Sequence, residues 1–185
     1  MSASYIARLV GNGLSWAMPL FLLFAAIRLA LRHRRGERGL DRRECLLWLF
    51  VFYLVMLFSL TIFSRTPLQI SSGLAERLNI VNLTPFHETY KLLRHGAVAL
   101  FWYNVAGNIA WFVPMGALWP ALLRGQWKGI KTFFFCLGIS FFIETLQLVF
   151  AVGVPDVDDL ILNVLGGIIG YFAYFILKKT LNSNK

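Results

Sequence analysis

The sequence predicts an all-α fold, a polytopic membrane helix bundle of about five transmembrane helices plus a short interfacial helix. Of its 185 residues 58% are apolar and only 15% charged, against about 45–50% and about 25% in soluble domains. Four stretches without a charged residue, 9–27, 45–64, 96–123 and 160–177, each reach the roughly 18–20 apolar residues that cross a hydrocarbon core. A fifth, 132–153, is interrupted only by Glu144. This composition excludes a disordered or fibrous chain and argues against a water-soluble globule.

The predicted helices run over 10–31, 45–64, 100–123, 132–152 and 159–177. The first is read as a retained anchor rather than a cleaved signal. Only Arg8 precedes it, its apolar run is long, and a dense basic cluster follows it. Three parts result: 1–64, two N-terminal helices with a basic loop; 65–177, an outer segment with three helices; and 178–185, a basic tail.

Charge sets the expected orientation. The net charge is +9, from 18 Lys and Arg against 9 Asp and Glu. Most of the basic residues fall on one side of the bundle: Arg32, Arg34, Arg35, Arg38, Arg42 and Arg43 after the first helix, Arg124, Lys128 and Lys131 after the third, and Lys178, Lys179 and Lys185 in the tail. The positive-inside rule makes that side cytoplasmic, so the N-terminus is expected outside and the C-terminus inside a plasma membrane. The same rule accounts for the basic run 32–35, which therefore does not indicate nucleic acid. Cys45 and Cys136 fall toward this reducing side, where no disulfide framework is expected. Neither forms a metal motif with His33, His87 or His95, so no metal and no cofactor are expected.

In the outer segment, Asn82-Leu83-Thr84-Pro85-Phe86 reads as a helix start, with Thr84 as cap and Pro85 in the first turn. Beyond it Phe86, Tyr90 and Leu93 share one helical face while His87, Lys91 and Arg94 share another, which predicts a short interfacial amphipathic helix.

Polar groups inside spans are costly unless paired and are the candidate binding residues. Asn104, Gly107 and Asn108 fall on one face of the third helix. Ser140, Glu144 and Gln147 fall on one face of the fourth, and Asp159, Asn163, Gly166 and Gly170 along a stripe of the fifth. At about 1.5 Å per residue, Asn108 and Glu144 are expected roughly 12 Å below the outer ends of their helices, and Gln147 and Asn163 roughly 7 Å below theirs. An outward polar pocket is the simplest arrangement. Its ligand-binding set is Asn82, Asn104, Asn108, Ser140, Glu144, Gln147, Asp156, Asp159 and Asn163. Asp156 and Asp158 are expected to cap the last helix. The Gly166 and Gly170 pair suits close helix approach, including homo-oligomerisation, and Pro114 is expected to kink the third helix.

These blocks together resemble the VanZ-like family of bacterial membrane proteins. The resemblance rests on Asn82-Leu83-Thr84-Pro85-Phe86, on Asn104, Gly107, Asn108, Phe112, Pro114 and Gly116 at their spacing, on Ser140, Glu144 and Gln147, and on Asp156-Val157-Asp158-Asp159-Leu160-Ile161-Leu162-Asn163 followed by Gly166-Gly167. It covers residues 65–171. Many members carry an arginine in the turn before the acidic block, where this chain reads Ala151-Val152-Gly153-Val154-Pro155. A charge partner for the block is therefore missing or supplied by Arg65 or Arg94.

The resemblance implies a multi-pass protein of the bacterial plasma membrane and the cell envelope. It also implies a link to antibiotic resistance, because the family's namesake lowers susceptibility to teicoplanin, a lipid-tailed glycopeptide. Three functions follow. The first is a non-enzymatic protein whose outer pocket binds membrane lipid, a lipid-linked cell-wall precursor or the lipoglycopeptide. The second is an intramembrane enzyme acting on a lipid head group, with Glu144 and Asp159 as acid and base or holding a divalent cation; no nucleophile, His pair or catalytic signature supports it. The third is a small transporter, against which the lack of inverted repeats argues.

Overall fold

The structure is a computed structural model describing residues 3–37, 39–64 and 73–183, with side chains from residue 7 onward. Its helices in chain order are α1 (Ala3–Arg34), α2 (Arg42–Phe58) continued by a π-helical turn (Ser59–Phe63), α3 (Leu74–Leu78), α4 (His87–Arg94), α5 (Val98–Leu122), α6 (Lys128–Val149) and α7 (Val157–Ser183). Five of these, counting α2 with its π turn, are long and apolar enough to cross a membrane. The burial pattern fits that solvent. Leu22, Phe134, Phe141 and Ile176 are more than half exposed, whereas Ser140, Glu144, Asp158 and Asn163 are buried. In water such an apolar exterior would drive aggregation; in lipid it is the solvated face.

The predicted spans match in number and order but not at every end. The fourth predicted helix stops three residues early, at Val149, because Ala151 turns left-handed at φ 54. Val152 N–H then donates to the Gln147 carbonyl at 3.1 Å and Ala151 N–H to Leu148 at 3.4 Å, a Schellman closure without its usual glycine. The last helix runs to Ser183, so residues expected as a separate basic tail continue α7. Pro114 and Pro120 both lie within an unbroken α5.

The chain divides into two compact units, Met1–Leu68 and Gln69–Lys185. In the first, α1 and α2 are joined by a buried carboxylate. Glu44, 5% exposed, accepts from Arg28 Nε at 2.8 Å and Nη2 at 2.6 Å and from Trp48 Nε1 at 2.9 Å, and Arg32 approaches it at 3.1 Å. Asp41 caps α2 by accepting the Glu44 N–H at 2.7 Å. A carboxylate so withdrawn from solvent persists because it is paired with Arg28 and Arg32 and hydrogen-bonded by Arg28 and Trp48. At Gly13 the two helices pack closely, and a Cβ there would lie 2.6 Å from Leu60 Cδ2.

In the second unit, α5 and α7 meet backbone to backbone along a glycine seam. A Cβ on Gly116 would overlap the Gly167 carbonyl, one on Gly166 the Ile109 carbonyl, and one on Gly170 the Val113 carbonyl. The close helix approach expected of Gly166 and Gly170 is thus made within the chain, against α5.

The seam gives a contrast among glycines. Gly116→Ala or Gly166→Ala forces a methyl into a backbone carbonyl, at a cost of about 1–3 kcal/mol. Gly107→Ala and Gly138→Ala enter open space and should be neutral or slightly stabilising. Thermal unfolding of detergent-purified variants checks this. The first pair should fall by several degrees and the second pair should hold.

Candidate functional site

The polar layer is built where α7 begins. Asp156 stands at the N-cap of α7, its Oδ1 accepting the Asp158 N–H at 2.9 Å. Asp158 and Asp159 follow in the first turn, where unpaired N–H groups and the helix dipole favour negative charge. The expected capping by Asp156 is thus present, but Asp158 has a different task.

Asp158 is 1% exposed. Its Oδ1 accepts the backbone N–H of Phe86 and its Oδ2 accepts the Thr89 hydroxyl at 2.5 Å. It therefore caps α4, from 72 residues away in the chain. This replaces the expected Thr84 cap: α4 starts at His87, Phe86 occupies the cap position in the left-handed region at φ 60, and no side chain of its own segment caps it. A left-handed phenylalanine costs of order 1–2 kcal/mol. The charge-assisted bond from its N–H to Asp158 offsets that cost.

Asn82 is tied at all four of its hydrogen-bonding groups. Its backbone N–H donates to Pro155 and its carbonyl accepts from Val157 N–H, both at 3.0 Å, forming a parallel bridge with Asp156. Its Nδ2 donates to Asp156 Oδ1 at 2.8 Å and its Oδ1 accepts Thr84 N–H at 3.1 Å. Glu144 reaches the same place from α6, Oε2 accepting the Asp156 N–H at 3.1 Å. Because α6 ends at Val149, Glu144 lies about 7–8 Å from the helix end, nearer the interface than the expected depth.

Two more pairs continue inward. Asn108 Nδ2 donates to Asp159 Oδ1 at 2.5 Å, joining α5 to α7. Asn163 Nδ2 donates to Ser140 Oγ at 3.0 Å, joining α7 to α6 in a buried bond. Of the nine candidate ligand-binding residues, then, Asn82, Asn108, Ser140, Glu144, Asp156, Asp159 and Asn163 bond to one another or to the adjoining backbone. Gln147 is buried on the same face of α6, its carbonyl used in the helix closure. Asn104 is exposed, and its side chain makes no hydrogen bond among the described residues.

Sequence reasoning missed two contributors. Asp158 was read only as a cap for its own helix, and nothing local reveals a partner so distant in sequence. Arg77 was passed over, yet its Nε donates to the Leu148 carbonyl at 3.1 Å and its Nη2 to the Gly153 carbonyl. A guanidinium from α3 thus supports the turn before the acidic block. Arg94 is exposed at the end of α4 and makes no contact with the block among the described residues, and Arg65 lies outside them.

Burial and the neighbouring Asp158 raise the Asp156 carboxyl above its ordinary value, against the bonds from Asp158 N–H and Asn82. A raised folded value means that folding takes up a proton there. The resulting penalty is present above the folded value and vanishes as pH falls through it toward the unfolded value.

The acidic residues should consequently differ in sensitivity. Asp158→Ala removes both acceptors of α4 and should cost about 3 kcal/mol. Asp156→Asn keeps an oxygen for Asn82 and Asp158 N–H while removing the charged form, so it should be neutral near pH 7. Unfolding of the two variants in detergent, side by side, checks the order.

The outer surface of α4 carries a second feature. Phe86, Tyr90 and Leu93 are exposed, while the helix leans inward on Thr89 and Leu92, which are half-buried. Beside that apolar stripe His87, Tyr90, Lys91, Arg94 and His95 line an open cleft of about 500 Å³. Lys91 is shared with Glu88 at 3.2 Å; Arg94 has no acidic partner among the described residues.

Comparison with known proteins places this geometry. The family model described as VanZ/LLP1 matches residues 50–178, a stretch that includes every residue of the polar layer. Protein VanZ of Enterococcus faecium is 31% identical over 140 residues, covering 74% of this chain and 78% of that protein. No solved structure matches. With five helices suited to span a bilayer and the family's motifs gathered at the start of the last one, the chain is a multi-pass membrane protein that belongs to the VanZ/LLP1 family.

Proposed function

We propose that this protein lowers susceptibility to teicoplanin-type lipoglycopeptides by binding an amphipathic, anionic molecule at the outer face of the bacterial plasma membrane. That molecule is a lipid-linked cell-wall precursor or the lipoglycopeptide itself. The orientation belongs to the proposal: N-terminus outside, C-terminus cytoplasmic, by the excess of Lys and Arg on the loops that would face the cytoplasm.

The observation that carries this reading is the way α4 is held. Its N-terminus is fixed to α7 by Asp158, and it exposes an apolar stripe next to a cationic cleft. A helix presenting both faces side by side suits the boundary between acyl chains and head groups. An amphipathic ligand has the same two halves. Its tail would lie along Phe86, Tyr90 and Leu93, and its anionic part would meet Arg94, His95 and Lys91, where guanidinium and ammonium groups favour phosphate and carboxylate.

Two polar pairs between helices support this arrangement by rigidity. Asn108 with Asp159 and Asn163 with Ser140 lock α5, α6 and α7 together below the helix. A platform that does not move on binding spares the ordering cost of recognition. The similarity to Protein VanZ supports the resistance role.

Susceptibility tests check the proposal. Expression of the wild type should raise the inhibitory concentration of teicoplanin several-fold and leave vancomycin unchanged. Arg94→Gln with Lys91→Gln, both on the exposed surface, should return teicoplanin susceptibility toward the empty-vector value without loss of protein from the membrane. Equal teicoplanin response with and without the protein would overturn the resistance role. Full protection by the double variant would overturn the role of the α4 cleft.

A further inference from the structure

The opposite end of α6 and α7 carries a cluster that the proposed function does not use. Trp127, Lys128, Tyr171, Tyr174, Lys178 and Lys179 are among the residues lining a cleft of about 340 Å³. We propose that this cleft is a binding site for an anionic phospholipid of the bilayer, which takes the head-group phosphate between Lys178 and Lys179 and lays its chains along α7.

Charge is the first argument. Arg124, Lys128, Lys131, Lys178 and Lys179 gather at this end, and the sequence has no Asp or Glu between residues 89 and 143 or beyond Asp159. Lys128 is already engaged, donating to the Pro120 carbonyl at 2.8 Å and standing 5.7 Å from the centre of the Tyr174 ring. It thereby satisfies a carbonyl at the end of α5. Lys178 and Lys179 have no acidic partner among the described residues and remain for an anion.

Depth is the second. The apolar run of α7 ends at Leu177, so the two lysines sit where head groups begin. One turn and two turns further in, Phe172, Phe175 and Ile176 are each more than half exposed and offer a surface for acyl chains. Tyr174 lies about one turn from the lysines, near the boundary that amphipathic rings favour, and Tyr171 a turn deeper. Tyr171 is set there by Gly129, where a Cβ would come within 3.1 Å of its ring.

Backbone strain is the third. Trp127, 70% exposed, begins α6 in the left-handed region at φ 62. A bulky residue at positive φ costs free energy that a glycine would not. The conformation places an indole at the mouth of the cleft, at head-group level.

The shared chemistry of this site is a phosphate, and a lipid must be told from free phosphate. The probes are dioleoyl-phosphatidylglycerol, dioleoyl-phosphatidylcholine and inorganic phosphate, each added to the whole purified protein in a neutral maltoside detergent while thermal unfolding is followed. Phosphatidylglycerol should raise Tm by about 5 °C at saturation, and the other two should raise it by less than half as much. The double variant Lys178→Gln with Lys179→Gln, at exposed positions, should lose most of the gain. Trp127→Gly, which suits the left-handed backbone and removes the ring, should also reduce it. Lys91→Gln with Arg94→Gln on α4 should retain it, which separates this site from the one proposed above. An equal gain with phosphatidylcholine, a full gain with inorganic phosphate alone, or an unchanged phosphatidylglycerol gain in the Lys178 and Lys179 variant would overturn the assignment.

Discussion

A carboxylate removed from water must be surrounded by donors, and Asp158 meets that requirement by organising the segment before α5. At 1% exposure it accepts from Phe86 N–H and the Thr89 hydroxyl, at a helix start whose own dipole favours negative charge. One buried side chain in the first turn of α7 therefore caps a second helix, α4. The left-handed Phe86, the position of α4 and the exposure of its basic face all depend on it. Asn82 repeats the logic with backbone groups, closing a bridge to Asp156 in which its N–H, its carbonyl, its Nδ2 and its Oδ1 each find a partner.

The glycine seam makes the deeper polar pairs possible. Only because α5 and α7 touch at the backbone, at Gly116 against Gly167 and Gly166 against Ile109, does the short side chain of Asn108 span the gap to Asp159. In lipid there is no hydrophobic force between helices, so close packing and such hydrogen bonds hold the bundle. Rigidity at the centre and presentation at the rim are in this way one design. The family match over residues 50–178 covers both.

Much of this was legible in the sequence, and the exceptions share a cause. Five spans follow from charge-free stretches, and the polar stripes on α5, α6 and α7 follow from helical spacing, because both depend on local periodicity and on the energetics of lipid. The misassigned features depend on partners distant in the chain. Thr84 had the composition of a cap, but a carboxylate on α7 took that place. Glu144 seemed deeper because the closure after Val149 uses Ala151 where a glycine would have marked the turn. Arg77 could have been suspected from one signal, the arginine missing from the turn it supports.

The central claim is that Asp158 holds α4 on α7. Amide hydrogen exchange of the protein in lipid nanodiscs, comparing wild type with Asp158→Ala, tests it most directly. The account predicts exchange at least about tenfold faster at Phe86 and through the first turn of α4, with amides in the middle of α6 unchanged. Unaltered protection at Phe86 in the variant would contradict it.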